Sequence, residues 1–372
     1  MKKILFASTA IAGMAMASVA SADIALFGDA RLGIGYNIAN DGSATREESK
    51  FRTNAAGDPI ATEVKGTDDL RAVSRVRFGV RMTGESDAGI TFGATIRADN
   101  AGGGQGGTAG QRAGNVFVSG AWGTLTFGDT DGADKQHVGD AIGNVSLTGL
   151  GDFNETPFIS NGGGFGDDSI QFANNPEARP TVRYDYNFMG FGISASTNRD
   201  LNDIGVGASY TAEFDQGSFT GGVGYYNFKE FTTTGGRFVP DGDQWSVGGT
   251  LNYAGFQAGA VYSAASTKKN NSRGIAKADL DVLNVGLGYG WDAFTVLGYY
   301  SKVLTANGPA RPFKNQDSYG ASFAWNLGGG LSLNMGVAQT FGRDSRGTID
   351  DADYLPKAKQ VTVADFGLQM AF

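Results

Sequence analysis

The feature that most constrains this chain is an alternation of apolar and polar residues with period two, repeated to its last residue. Trp245, Val247, Gly249, Leu251 and Tyr253 alternate with Ser246, Gly248, Thr250 and Asn252. Tyr319, Ala321, Phe323, Trp325 and Leu327 alternate with Gly320, Ser322, Ala324 and Asn326. Successive side chains of a strand point to opposite faces, so each segment reads as a strand with one apolar face. Sixteen segments qualify: 24–37, 73–84, 88–99, 113–121, 123–129, 180–188, 190–198, 203–212, 217–228, 243–253, 255–264, 279–290, 292–301, 316–327, 330–341 and 361–372. An even number is what a single-chain bacterial barrel requires. The expected fold is therefore all-β, a transmembrane antiparallel β-barrel of sixteen strands.

The connections carry independent information. Ser86-Asp87, Trp122-Gly123, Met189-Gly190, Asp215-Gln216, Ala254-Gly255, Trp291-Asp292 and Gly328-Gly329 read as tight turns. Longer polar segments lie between them, at 38–72, 100–112, 130–179, 229–242, 265–278, 302–315 and 342–360. One short connection, near Arg199-Asp200, falls in the long series. Short and long connections thus alternate, which assigns turns to the periplasmic end and loops to the extracellular end.

Composition agrees with an exported barrel. Lys2 and Lys3 precede a short apolar run, Ile4 to Ala17, and Ala20-Ser21-Ala22 has the small-x-small form of a cleavage site. Residues 1–22 are expected to be a signal peptide and 23–372 a single barrel domain. Removing the two lysines takes the formal charge from -8 to -10. That acidity disfavours nucleic acid as a partner. There is no cysteine, so stability must come from another source, and a closed hydrogen-bonded sheet is sufficient. No later apolar run is long enough for a membrane helix. Glycine, 59 of 372 residues, is about twice its usual share and is spread through the alternating segments.

Parity places the side chains. Tyr253, Phe256, Tyr289, Trp291, Phe294, Tyr319, Trp325 and Phe341 fall near strand ends on the outward parity, as an aromatic girdle at the headgroup level would. If Val76, Phe78 and Val80 face lipid, Arg75, Arg77 and Arg81 face the lumen. The same reasoning turns Asp29, Arg31 and Arg97 inward, because an arginine on lipid costs about 2–4 kcal/mol at the midplane. The last strand alternates Phe366, Leu368, Met370 and Phe372 and would close the sheet on the first. It resembles the C-terminal signature of outer-membrane barrels, in which the terminal Phe, here Phe372, is read by the barrel-assembly machinery.

Several segments are similar to general porins of alphaproteobacteria, the Rhodobacter and Paracoccus type. They are Gly28-Asp29-Ala30-Arg31-Leu32-Gly33, Ser74-Arg75-Val76-Arg77-Phe78, Gly84 through Phe92-Gly93-Ala94, Val116-Phe117-Val118-Ser119-Gly120-Ala121 leading to Gly128-Asp129, and Leu327-Gly328-Gly329-Gly330 with the C-terminal strand. The resemblance implies a homotrimer in outer-membrane lipid and lipopolysaccharide. It also implies a third long loop, about 130–179, folded into each lumen to narrow it. The loop's Asp131, Asp134, Asp140, Asp152, Glu155, Asp167 and Asp168 would then oppose the arginines across the constriction, while Phe153, Phe158, Ile159 and Phe165 anchor it. The long first loop (38–72) and the glycine-rich third loop depart from the family pattern.

These readings make passive diffusion of ions and small hydrophilic solutes the expected function, with no cofactor. A substrate-selective channel, a plugged surface barrel and an outer-membrane enzyme are the alternatives. His137 is the single histidine, and no GxSxG surrounds a serine, so the enzyme is the weakest of these. Glycine runs such as Gly102-Gly103-Gly104 lack the strand-to-helix setting of a phosphate loop. Asp167-Asp168 and Asp350, Asp351 and Asp353 are weak calcium candidates without the spacing of a calcium loop.

Overall fold

The computed structural model describes residues 23–38, 52–53, 59–60, 70–100, 112–150, 154, 157–161, 180–232, 238–307, 317–341 and 360–372. The expected signal peptide lies outside these. Sixteen strands form one closed antiparallel barrel. In chain order they are β1 (Asp23–Tyr36), β2 (Leu70–Glu85), β3 (Thr91–Asn100), β4 (Arg112–Gly120), β5 (Gly123–Gly128), β6 (Pro180–Phe188), β7 (Phe191–Asn198) and β8 (Ile204–Phe214). They continue as β9 (Gly217–Phe228), β10 (Gly242–Tyr253), β11 (Phe256–Thr267), β12 (Asp279–Trp291), β13 (Phe294–Asn307), β14 (Asp317–Gly328), β15 (Leu331–Phe341) and β16 (Gln360–Ala371). Each pairs with its chain neighbours, and β16 pairs with β1, so the ring has no edge.

Three strands outrun their sequence pattern. β2 begins at Leu70, opposite Tyr36; β11 reaches Thr267, opposite Gly242; β13 reaches Asn307, opposite Asp279. Backbone pairing continues where one face no longer has to be apolar, so the loops at 265–278 and 302–315 are shorter than expected. The tight turns after β4, β12 and β14 sit at Ala121-Trp122, Asp292-Ala293 and Gly329-Gly330, one residue from the expected pairs. Met189-Gly190 and Ala254-Gly255 have φ of 47° and 82°, and 47° and 88°. Positive φ at both central residues is the hairpin turn whose twist matches the strands.

The outward face is apolar and exposed: Leu26 67 %, Val223 55 % and Leu287 69 %. Around the turn end runs a ladder of rings, with Phe256 4.4 Å from Tyr289, Tyr289 5.6 Å from Trp291 and Trp291 5.6 Å from Phe294. Such rings suit the interface between lipid tails and headgroups. Val223 lies mid-strand on this face, so Val223→Arg is expected to cost about 2–4 kcal/mol of barrel stability in bilayers. Urea unfolding in liposomes measures it, and an unchanged midpoint would place Val223 away from lipid.

The core lies between the inner wall and the loop joining β5 to β6. This loop carries α1 (Ala133–Val138) and a 3₁₀ turn, Ile159–Asn161. Val138, Ala141, Ile142 and Phe158 pack with Val261 and Leu297 of the wall. Leu147 and Leu150 pack with Ile38, Val73, Ala338 and Val363. Ile159 joins Tyr226, Phe228, Leu280 and Val282. Phe158 and Ile159 are 0 % and 1 % exposed. Phe153 and Phe165 lie outside the described residues.

Candidate functional site: the loop-lined lumen

The loop follows the inner wall. From β5 it passes through α1 over β7–β10, then puts Ala141 and Ile142 on β11 and β12. Val145 reaches β14 and β15, where its carbonyl accepts from Asn334 Nδ2 at 2.8 Å. Leu147 and Thr148 reach β16 and β1. On the way back, Gln244 of β10 accepts from the Ile159 N–H at 2.9 Å and donates to the Pro157 carbonyl at 2.6 Å.

Glycine makes room for this path. Gly207 faces Gly224 across β8/β9, Gly222 faces Gly248 across β9/β10, and Gly259 faces Gly286 across β11/β12. A Cβ at Gly222 would overlap the His137 carbonyl, and one at Gly259 the Ala141 carbonyl. The glycines form a groove in which the loop backbone lies against the sheet.

Two polar side chains of α1, three apart on one helix face, turn to the wall. Asp134 is 0 % exposed and lies over Gly224. Its Oδ2 accepts from the Ser160 hydroxyl at 2.9 Å. Burial pushes its carboxyl up from 3.8 to about 6, partly offset by that hydrogen bond. His137 Nε2 is 2.7 Å from Ser194 Oγ and Nδ1 is 2.8 Å from Ser209 Oγ. Ser194 donates to Asp185, so Nε2 carries the proton and Nδ1 accepts from Ser209. Burial lowers the His137 pKa; the Asp185 charge raises it and Arg183 lowers it. A hydrolytic triad would place a carboxylate on one ring nitrogen and a nucleophile on the other. Here both nitrogens meet wall serines.

The residues singled out from sequence therefore separate. Asp134 does not face the lumen, because the helix turns it to the wall. Asp131 accepts from Asn161 Nδ2 at 2.7 Å, and its carbonyl accepts from Arg183 Nη1 at 3.0 Å, so it fastens the loop base. Asp140 is exposed on the free edge, with Lys135 Nζ at 3.7 Å. Asp152, Glu155, Asp167 and Asp168 lie outside the described residues, as do Asp350, Asp351 and Asp353. Among the described residues no group of three or more His, Asp or Glu is placed to hold a metal.

Arg75, Arg77 and Arg81 share the face of β2 with Val73, which packs on the loop, and Arg97 pairs in register with Gly79 of that face. Arg75 Nη2 is 2.7 Å from Asp29 Oδ1. Arg31 is only 5 % exposed and lies under the loop tip, not on the open wall. Sequence reasoning passed over Arg183, Asp185 and Asp365. Each is a charge at inward parity between apolar neighbours, the signal that singled out Arg75 and Arg77. Arg183 Nε bonds both Asp185 oxygens, at 2.9 and 3.0 Å.

A closed barrel, apolar outside and lined inside by a folded loop and charged walls, is a pore-forming outer-membrane protein. A family model described as Gram-negative porin matches residues 7–345, and the chain belongs to that family. It is 26% identical over 336 residues to a porin of Rhodobacter capsulatus, covering 85% of this chain and 94% of that one. A porin structure refined at 1.8 Å superposes with a TM-score of 0.62 at 22% identity, covering 94% of this chain and 100% of that one. A triple mutant of the Rhodopseudomonas blastica porin gives 0.57 at 18%, with the same coverage. The chain is thus an alphaproteobacterial-type general porin, a channel of the outer membrane for passive diffusion of ions and small hydrophilic solutes.

Proposed function

We propose that solutes pass between the free edge of the loop and the arginine-bearing wall of β2 and β3, and that this wall sets the ion preference of the pore. The observation carrying the proposal is the side on which the loop docks. Its described residues run from the base contact with Arg183 of β6 round to β1 and Val73 at the start of β2, and Arg75, Arg77, Arg81 and Arg97 lie beyond its tip. Fixed charges beside a narrow aqueous path bias which ions enter. Bilayer recordings with a salt gradient test this. Neutralising Arg75, Arg77 and Arg81 together is expected to shift the reversal potential toward cations with the barrel intact. An unchanged reversal potential would remove these arginines from the ion path.

The rest of the proposal follows from family membership. The working form is a homotrimer in outer-membrane lipid and lipopolysaccharide, assembled after residues 1–22 are removed, with Phe372 recognised by the assembly machinery. It needs no cofactor and has no enzymatic activity; the serine-bound, buried His137 supports the latter. Intact-mass measurement of the outer-membrane protein tests the cleavage, and its migration before and after heating tests the trimer.

A further inference from the structure

The tip of the loop lies across the seam where the first and last strands close the barrel. Along that seam Arg31 pairs in register with Gln369, Gly33 with Gly367 and Gly35 with Asp365. Leu147 sits over the glycine pair: Cβ atoms added at Gly33 and Gly367 would fall 2.5 and 2.7 Å from its Cδ2. On one side, Arg31 of β1 donates from Nη1 to the Leu147 carbonyl at 3.1 Å. On the other, Asp365 of β16 takes three donors. Leu147 N–H reaches Oδ1 at 3.2 Å, while Thr148 N–H and Oγ1 reach Oδ2 at 2.7 and 2.6 Å. Arg31 and Asp365 are each only 5 % exposed.

We propose that Arg31 and Asp365 are positioning residues. They hold the loop tip as a clasp across the β1/β16 seam and thereby fix the pore aperture. Several features support a clasp over incidental contact. The tip's backbone donors and acceptor are taken up by both strands of one seam. The carboxylate accepts from two successive backbone N–H groups and a hydroxyl, a strong arrangement for an ionised acceptor. The floor is a registered glycine pair, which lets Leu147 approach where any side chain would exclude it. The loop is held elsewhere by α1, some ten residues earlier in the chain. Between them Ile142 packs on the wall and the Val145 carbonyl accepts from Asn334, so releasing the tip loosens the residues around Leu147 and Thr148 without undocking the helix.

The clasp deepens the pore reading and rests on it. The test is single-channel recording of Asp365→Ala, Arg31→Met and Thr148→Val beside the unaltered protein, with heat-induced unfolding measured in parallel. Removing the three contacts to a charged acceptor is expected to raise the population of released tip by roughly tenfold or more. It should appear as added open-state noise and conductance substates in Asp365→Ala and Arg31→Met. Thr148→Val alters only the loop and leaves both strands intact, so it should show the same change, smaller, even if a wall variant fails to fold. A lower unfolding temperature with unchanged currents in all folded variants would overturn the proposal, leaving these residues merely structural. No conductance steps from the unaltered protein would instead defeat the pore reading.

Discussion

Gly259→Ala is expected to lower the unitary conductance of the pore and make it noisy while leaving the barrel folded. The added methyl group would overlap the Ala141 carbonyl oxygen, which is backbone and cannot rotate away. The strand cannot yield either, because Gly259 is paired on both sides, with Thr250 and Gly286. The loop must lift, and it is tethered at α1 on one side and at the seam on the other, so it moves into the open lumen. Overpacking of this kind costs about 1–3 kcal/mol. Strand propensity is not the reason, since alanine in a strand interior is no worse than glycine. Gly249→Ala is the control. It sits on the outward face of the adjacent strand, where the nearest atom to an added Cβ is 3.2 Å away. Single-channel conductance together with circular dichroism reads both variants. Equal conductance for Gly259→Ala and the unaltered protein would mean the loop does not lie in the glycine groove.

The barrel was legible because each spanning strand must solve the same problem, lipid on one face and lumen on the other. That constraint writes itself into every second residue, and all sixteen strands follow from it. It stops at the membrane boundary, which is why β2, β11 and β13 run past their patterns. The loop obeys no such rule. Asp134 and Asp140 are both acids of one short segment; α1 turns the first into the wall, and the second, just past the end of the helix, is exposed. Composition cannot separate them. Arg31 has the parity of Arg75, and parity put it correctly on the inner face, but only the loop's path shows that it is covered. The sequence does carry one signal of the loop's path: the glycines at inward parity in β8–β12, which pair across neighbouring strands. Read as general barrel composition they say little; read in register they trace the groove the loop occupies.

Docking of α1 should also respond to pH in two opposed ways, and Asp134→Asn should separate them. Burial raises the Asp134 carboxyl from 3.8 to about 6, so the docked loop holds this proton more tightly than a solvated one. Its contribution to docking is therefore full below about pH 4 and is lost as pH rises through about 6. Ser160 and the Lys135 backbone N–H favour the ionised form, and the Asp131 charge opposes it. His137 acts the other way. Its pKa is lowered in the docked loop, so its contribution is full above 6.5 and is lost as pH falls through the depressed value. Asparagine keeps an acceptor for Ser160 and removes the charge. A shift from 3.8 to about 6 corresponds to about 3 kcal/mol at neutral pH. Asp134→Asn is thus expected to quieten open-state noise at pH 7.5 and to have little effect at pH 4. With Asp134 removed, the opposed contribution of His137 remains, so noise in the variant should rise on acidification. Superimposable noise–pH profiles for the variant and the unaltered protein would show that the Asp134 carboxyl does not control how the loop is held.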